Sequence, residues 1–330
     1  MQAVMLTKKG GPEVLEVVEQ PLPEPGPGEL RVKVRATGVG STDVTMRRGS
    51  YPYAPAMPFV PGYETVGSVD AIGAGVTGFC VGDRVAALLV HGGYATYVVR
   101  GAEHWVKVPV GLDDAEAVAL ILNYITAYQM IHRTAALQPG QWALVNGANG
   151  GVGQALLDLL RAHGVHAIGA ASAKRHDVVH SYGATPIEGR LTPLDESVRQ
   201  LLPEGVDAAF DAIGGEQTGQ ALRSLKRGGT LVWYGFMGAG SLLSMLRSAV
   251  NTFLWARLTG KTGAFYGITL LYRKDPRPLR QDLPKLFALL AESKIRPRIA
   301  ERLPLLDARR ANERLEAGNI EGKLVLLAET

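Results

Sequence analysis

The chain has 330 residues, of which 46% are hydrophobic and 20% charged, as in a globular protein. At roughly 150 residues per domain, this length predicts two domains. Its 35 Lys and Arg residues are interspersed with 31 Asp and Glu residues, which argues against a nucleic-acid-binding groove. The single cysteine, Cys80, excludes an internal disulfide and a zinc site built from four cysteines.

The hydropathy pattern predicts no membrane span. Met1 to Gly10 lacks the apolar core of a signal peptide. The apolar stretch Leu242 to Leu258 carries Arg247 and Arg257 and is predicted to be an amphipathic surface or interface helix. We therefore expect a soluble cytoplasmic protein.

The histidines predict no metal site. Only His176 and His180 stand at the helical i, i+4 spacing, and no H-E-x-x-H motif surrounds them. This spacing is more typical of a solvated helix face, although histidines and carboxylates without cysteine leave a zinc site open at this point.

The first 120 residues or so predict an antiparallel barrel or sandwich. Short apolar runs are separated by glycine and proline rather than by helices. These runs are Leu30 to Ala36, Thr65 to Ile72, Asp83 to Val90, Tyr94 to Val99 and Trp105 to Val108.

The middle of the chain alternates strands with helices. The predicted strands are Trp142 to Asn146, Ala167 to Ala171, Val206 to Asp211 and Thr230 to Gly235. The predicted helices are Gly151 to Ala162, Ala173 to Tyr182 and Gln217 to Leu225. Alternation of this kind predicts parallel strands with crossover helices, and hence an α/β doubly wound sheet.

The C-terminal part contains two predicted helices, Arg280 to Ser293 and Asp307 to Glu316, and a final strand, Lys323 to Ala328. Periodicity alone assigns this tail to neither domain.

A glycine-rich turn, Gly147 to Gly153, follows a predicted strand and opens a predicted helix. It matches the dinucleotide-binding fingerprint with Ala148 in place of the first glycine. Gly150 lets the backbone approach a pyrophosphate, and Gly153 lets the helix pack on the strand. We predict that the phosphates of a dinucleotide contact the start of this helix, at Asn149, Gly150, Gly151 and Val152.

The segment after the second strand of this domain predicts which cofactor is bound. Gly169 to Arg175 contains no carboxylate to accept a hydrogen bond from the ribose of NAD. Ser172, Lys174 and Arg175 suit the 2′-phosphate of NADPH instead. The alternative is that both cations only solvate a helix.

Several sequence blocks together resemble the zinc-independent quinone oxidoreductases of the medium-chain dehydrogenase/reductase superfamily. They are Gly62 to Val69, Val81 to Val85, Gly92 to Val98, Thr126 to Tyr128, Gly147 to Gly153 and Gly322 to Val325. The resemblance implies a GroES-like β-barrel catalytic domain, residues 1–124 and 268–330, and a Rossmann NADP-binding domain, residues 125–267, with the cofactor in the cleft between them. The region from Leu242 to Tyr272 is similar to that of the synaptic-vesicle-protein-like members.

The resemblance also bears on zinc. Zinc-dependent relatives hold their catalytic metal with a cysteine and a histidine where this chain has Gly40 and Tyr63. We therefore expect no zinc and no alcohol oxidation through a zinc-bound alkoxide.

Without zinc, the expected reaction is hydride transfer from NADPH to a quinone or an α,β-unsaturated carbonyl. Tyr51 matches a tyrosine linked to proton delivery in similar enoyl reductases, and Tyr63 is the second candidate. The alternative for Tyr51 is a pocket-lining role with Tyr53 and Phe59.

Family position implies further cofactor contacts. Thr126 is expected beside the nicotinamide, Phe236 after the strand that contacts its carboxamide, and Asn319 at the nearby phosphate or ribose. Two residues depart from the family pattern: Gly40 stands in place of an asparagine, and Gly189 in place of a tyrosine that packs on the adenine.

The resemblance further implies a homodimer formed through the outer edge of the Rossmann sheet. Two other functions remain open at this point: an enoyl-thioester reductase, and a non-catalytic NADPH-binding interaction or sensor protein.

Overall fold

The computed structural model describes residues 1–236, 241–318 and 320–328. Strands occur throughout these residues: β1 (Gln2–Leu6), β2 (Leu15–Glu19), β3 (Glu29–Val39), β4 (Glu64–Ile72), β5 (Arg84–Leu88), β6 (Tyr97–Gly101), β7 (Val106–Lys107), β8 (Trp142–Asn146), β9 (His166–Ala171), β10 (Thr185–Glu188), β11 (Val206–Asp211), β12 (Leu225–Trp233), β13 (Thr262–Phe265), β14 (Ile299–Pro304) and β15 (Lys323–Leu327).

The α-helices are α1 (Ser41–Arg47), α2 (Asp114–Ala119), α3 (Ile125–Gln129), α4 (Gly151–Ala162), α5 (His176–His180), α6 (Leu194–Leu201), α7 (Glu216–Arg223), α8 (Leu242–Ala249), α9 (Ala256–Leu258), α10 (Ile268–Lys274), α11 (Arg277–Ala291) and α12 (Ala308–Ala317). Short 3₁₀ segments cover Pro12–Val14, Ala102–His104 and Ala173–Arg175, and π-helical segments cover Leu120–Tyr124, Met130–Thr134 and Val250–Trp255.

The chain forms two compact units, one of Met1–Ile125 with Tyr272–Thr330 and the other of Thr126–Leu271. Both boundaries fall inside helices, α3 and α10. The domain limits given above stay a prediction, because compactness alone does not show that each part folds independently.

The second unit contains a six-stranded parallel sheet in the order β10-β9-β8-β11-β12-β13. The strand order reverses between β8 and β11, and ligands of such sheets bind at the carboxyl ends of the strands beside this reversal. Leu144, Ile168 and Leu231 are fully buried in its core. This sheet confirms the predicted doubly wound α/β class.

The first unit contains a seven-stranded sheet in the order β14-β15-β3-β4-β5-β7, with β6 also paired to β3. On β3, the side chains of Leu30, Val32 and Val34 are buried at alternate positions, as expected for a strand with one face on a core. Because β15 pairs antiparallel with β3 and parallel with β14, the C-terminal tail belongs to this unit.

Some elements differ from the sequence prediction. The helix predicted over Ala173 to Tyr182 is a 3₁₀ turn followed by α5, which ends at His180. The strand β10 was not predicted because it is short and contains Pro186. Proline is tolerated there because β10 lies at the edge of the sheet.

The segment from Leu242 to Leu258 is helical, as predicted, through α8, the π-helical segment and α9. It exposes large apolar side chains, among them Leu242 at 88% and Leu243 at 75% of their maximal accessible surface. Within the described residues, the helices lack the combined length and apolar character that crossing a bilayer requires.

Candidate cofactor and proton-donor sites

The glycine-rich turn between β8 and α4 has the geometry of a phosphate-binding loop. Gly147 has a φ of 85°, which favours glycine, and Gly150 is the N-cap residue of α4 without a side-chain cap. The first helical bond runs from the Gln154 N–H to the Gly150 carbonyl oxygen at 2.8 Å. The N–H groups of residues 151 to 153 therefore have no partner inside the helix and can bind an anion.

Gly153 is required by close packing inside this turn. A Cβ atom at Gly153 would lie 2.2 Å from the Gly147 carbonyl oxygen and 2.8 Å from the Ala148 Cα. Both neighbours are backbone atoms, so they have little freedom to move aside. At Gly150, a Cβ atom would meet only the Gly147 oxygen, at 3.3 Å. Gly153 thus serves the packing of α4, and Gly150 leaves space in front of its N-terminus.

A hydrogen-bond network that the sequence did not predict fixes the same end of the sheet. Asn146 Nδ2 donates to Asp211 Oδ1 at 2.8 Å and to Gln217 Oε1 at 3.1 Å. Gln217 Nε2 donates to the Gly189 carbonyl oxygen at 2.6 Å. Burial raises the pKa of Asp211, although hydrogen bonds from Thr218 and from backbone N–H groups oppose this shift. The network joins the carboxyl ends of β8 and β11 to the chain that follows β10.

The residues predicted to bind a 2′-phosphate lie together after β9. Ser172 is the N-cap residue of the Ala173–Arg175 turn, and Ser172 and Lys174 are exposed. The structure adds Glu188, whose Oε2 accepts a hydrogen bond from the Ala173 N–H at 3.0 Å. Local sequence around Gly169 to Arg175 does not reveal Glu188, because this residue lies at the end of the next strand, β10.

Thr126 carries an unsatisfied polar atom. Its Oγ1 is buried and has no hydrogen-bond partner among the described residues. Buried hydroxyl groups in native folds are almost always hydrogen-bonded, so a bound ligand is a natural partner for this one. Together with the uncapped start of α4, this atom fits the binding of a nicotinamide dinucleotide to this unit.

Phe236 follows β12 and is 40% exposed. Its ring packs edge-on against Trp233, with 4.8 Å between the ring centroids. Asn319, the remaining predicted cofactor residue, lies outside the described residues.

In the first unit, the two tyrosines proposed as proton donors lie together. The hydroxyl oxygens of Tyr51 and Tyr63 are 2.9 Å apart. Tyr63 is buried, with 1% of its surface exposed, whereas Tyr51 is half-buried. From the sequence, Tyr51 and Tyr63 were alternative candidates for the proton donor. The hydrogen bond between their hydroxyl groups shows that they can act together.

The backbone on both sides of Tyr63 is held firmly. Its carbonyl oxygen accepts hydrogen bonds from the N–H groups of Leu89 at 2.8 Å and Val90 at 3.0 Å. Val90 has a φ of 69°, an unfavourable value for a β-branched residue. Gly62 donates its N–H to Asp43 Oδ1 at 3.3 Å. Tyr63 is therefore a rigid partner for Tyr51.

Three buried charged groups, Asp43, Glu64 and Lys323, form a cluster in the fold, and Glu64 directly follows Tyr63 in the sequence. Lys323 forms an ion pair with Glu64, and both side chains are at least 95% buried. Glu64 Oε2 also accepts a hydrogen bond from the Leu122 N–H at 2.6 Å. Burial raises the pKa of Asp43 to about 6 and raises the pKa of Glu64, while the Lys323 ammonium opposes both shifts. Their burial and mutual contacts are typical of a structural role for Asp43 and Glu64.

The residues at the positions of the zinc ligands do not fit a metal. Gly40 has no side chain, and its N–H donates to Asp43 Oδ2 at 2.9 Å. Tyr63 is engaged with Tyr51. Among the described residues, no group of three or more His, Cys, Asp or Glu side chains could hold a metal ion.

The geometry of the two units defines the two-domain dehydrogenase/reductase class, and comparisons with known proteins identify the family. The model for "Alcohol dehydrogenase GroES-like domain" matches residues 26–110, and that for "Zinc-binding dehydrogenase" matches residues 176–326. The chain belongs to the quinone-oxidoreductase-like group of the medium-chain dehydrogenase/reductase superfamily. Its fold is a GroES-like domain with a Rossmann domain, as predicted.

Individual relatives span the whole chain. The human synaptic vesicle membrane protein VAT-1 homolog-like is 33% identical over 342 residues, covering 100% of this chain and 81% of the relative. Human quinone oxidoreductase is 28% identical over 334 residues, covering 99% of this chain and 98% of the relative. A mycobacterial structure solved in complex with NADPH has a TM-score of 0.86 at 30% identity, covering 99% of this chain and 100% of that one.

Proposed function

We propose that this protein is a zinc-free, NADPH-dependent reductase that transfers hydride to a quinone or an α,β-unsaturated carbonyl. The Tyr51–Tyr63 hydroxyl pair carries the proposal, because reduction of either substrate also needs a proton. The names of the relatives, a quinone oxidoreductase and a structure complexed with NADPH, support the same reaction and cofactor.

Tyr51 is the proton donor and Tyr63 its positioning partner. Tyr51 is the more exposed of the two, so its hydroxyl can reach a substrate oxygen, whereas that of Tyr63 is buried. As Tyr51 gives up its proton, the Tyr63 hydroxyl donates a hydrogen bond to the developing phenolate. Since Val90 and Leu89 hold the Tyr63 backbone, this donor needs little reorganisation.

The second unit binds the cofactor in this proposal. When bound, NADPH supplies the hydride. The N–H groups at the start of α4, with Asn149, Gly150, Gly151 and Val152, hold the pyrophosphate, and Ser172, Lys174 and Arg175 hold the 2′-phosphate. The Thr126 hydroxyl hydrogen-bonds the nicotinamide end, which satisfies its buried oxygen. Phe236 of this unit is assigned to the same end, and Asn319, outside the described residues, is assigned to it by family position alone.

The test is NADPH oxidation by the purified protein with a panel of quinones, enones and enoyl thioesters. We expect turnover on a quinone or an enone, and kcat about 100-fold lower in Tyr51→Phe, in the range found for general acids. Tyr63→Phe should lower kcat less, and the double variant should be no worse than Tyr51→Phe, because both residues serve one step.

Tyr53→Phe is the matched control. The Tyr53 ring lies edge-on to Tyr51, with 5.7 Å between centroids, so the variant removes a neighbouring hydroxyl from outside the pair. It should keep wild-type kcat. Absence of NADPH oxidation on every class would reject the proposal, and turnover only with enoyl thioesters would favour the thioester-reductase alternative.

We also propose a homodimer through the edge of the parallel sheet. The strand β13 is the last strand on that side, and an unpaired edge can pair with a second copy. Light scattering in solution tests this: a monomer at micromolar concentration would contradict it.

The exposed apolar face of Leu242 to Leu258 favours a second function, that of a cofactor-binding interaction protein. Several large apolar side chains exposed along one helical segment are typical of an interaction site. NADPH binding without turnover on any substrate, together with a stable partner lost in Leu243→Glu, would support it over the reductase.

A further inference from the structure

The carboxylate of Glu188 lies beside the residues proposed to bind the 2′-phosphate. In the parallel pairing of β10 with β9, Glu188 stands opposite Ala171, the last residue of β9. Its Oε2 accepts from the Ala173 N–H at 3.0 Å and its Oε1 from the Arg190 N–H at 3.2 Å. A negative charge is thereby fixed next to Ser172.

Backbone hydrogen bonds next to Glu188 restrict the movement of its carboxylate. The next residue, Gly189, donates its N–H to the Ala171 carbonyl oxygen at 3.1 Å and accepts from Gln217 Nε2 at 2.6 Å. Gln217 in turn belongs to the network of Asn146 at the switch point of the sheet. The position of the carboxylate is thus tied to the same end of the sheet as the glycine-rich turn.

The chemistry of this carboxylate differs for the two nicotinamide cofactors. A 2′-phosphate dianion between Ser172 and Lys174 would be repelled by Glu188 and would compete with it for the Ala173 N–H. A ribose 2′-hydroxyl, in contrast, can donate a hydrogen bond to a carboxylate at this place. Lys174 and Arg175 therefore favour NADPH, while Glu188 opposes it and favours NADH.

We infer that Glu188 is a specificity-determining residue that limits the preference for NADPH and allows the protein to bind NADH as well. The inference rests on the cofactor site of the proposed function. It concerns only the ratio of the affinities for NADPH and NADH, and not the reaction itself.

The test is a fluorescence titration of wild type and Glu188→Gln with NADPH and with NADH. The glutamine keeps the shape of the side chain and an oxygen that can accept from Ala173, but removes the charge. We expect the ratio of NADPH to NADH affinity to rise about tenfold or more, as expected for one lost repulsion and one weakened hydrogen bond.

Two further variants isolate the charge as the cause. Glu188→Asp keeps the charge and should leave the affinity ratio close to that of the wild type. Glu196→Gln removes an equal charge from an exposed position on α6 of the same unit and should leave the ratio unchanged.

The outcomes separate this inference from the proposed function. If the wild type binds neither cofactor, the proposed cofactor site fails. If both cofactors bind and Glu188→Gln does not change their ratio, the inference about Glu188 is wrong and the proposed function stands. The inference is also wrong if Glu188→Asp or Glu196→Gln raises the ratio as much as Glu188→Gln does.

Discussion

The two units of this protein build their candidate sites by different means. In the Rossmann unit, backbone conformation makes most of the site: a glycine turn, an uncapped helix start and the ends of parallel strands. In the GroES-like unit, side chains from distant parts of the chain make it, with Glu64 and Lys323 joined in a buried ion pair beside the tyrosine-bearing segment. A backbone site is sensitive to an atom added at its most tightly packed position, Gly153, whereas a side-chain site depends on each charge having its partner.

The largest effect is expected when the buried ion pair of the GroES-like unit is broken. Lys323→Met leaves the Glu64 carboxylate buried without its counter-charge, and should lower the free energy of unfolding by about 4 kcal/mol. Chemical denaturation measures this. The double variant Lys323→Met with Glu64→Gln should recover much of the loss, and no recovery would mean that packing rather than charge holds this region.

The backbone site is tested by adding one carbon atom. Gly153→Ala places a Cβ atom 2.2 Å from the Gly147 carbonyl oxygen, and this overpacking should cost up to about 3 kcal/mol of stability. Gly150→Ala meets only one atom, at 3.3 Å, so it should retain the wild-type melting temperature. It should still weaken NADPH binding, because the methyl group lies in front of the helix start. Equal melting temperatures and equal affinities in both variants would contradict the division of roles between these glycines.

The pH dependence of stability tests the cost of burying charge in the GroES-like unit. Because burial raises the pKa of Asp43 from 3.8 to about 6, the folded state holds this proton more tightly than the unfolded state does. The contribution of Asp43 to stability is therefore largest below about pH 4 and decreases by roughly 2 to 3 kcal/mol as the pH rises through 6.

Asp43→Asn removes this titration. Its unfolding free energy should vary less between pH 4 and pH 7 than that of the wild type, measured by denaturation at each pH. An unchanged slope would assign the pH dependence to the other buried carboxyls, such as Glu64 and Asp211, whose pKa values are also raised by burial.

The smallest effect concerns Lys174 and Arg175, the two cations that follow β9 in the Rossmann unit. The double variant Lys174→Ala with Arg175→Ala should weaken NADPH binding about tenfold and leave NADH binding unchanged, since only the 2′-phosphate meets these charges. Arg227→Ala with Arg257→Ala removes two exposed cations elsewhere in the unit as a control. Equal losses for both cofactors would reject the 2′-phosphate assignment.

The sequence by itself determined the fold class and the glycine turn. Trp142 to Asn146 and Gly151 to Ala162 were predicted with the bounds that the structure has. Local chemistry dictates these features, because a strand, a turn that needs glycine and an amphipathic helix follow one another within about twenty residues. The substitutions at Gly40 and Tyr63 were equally visible in the sequence.

Only the tertiary structure decided how distant residues combine. It joined Tyr51 to Tyr63 and brought Glu188 to Ala173 from the next strand. The family resemblance, by contrast, had already implied that the tail joins the GroES-like unit. The physical reason is that parallel strands and returning chain segments place side chains together according to sheet order and register. Neither can be read from local periodicity, which describes each element but not its neighbours.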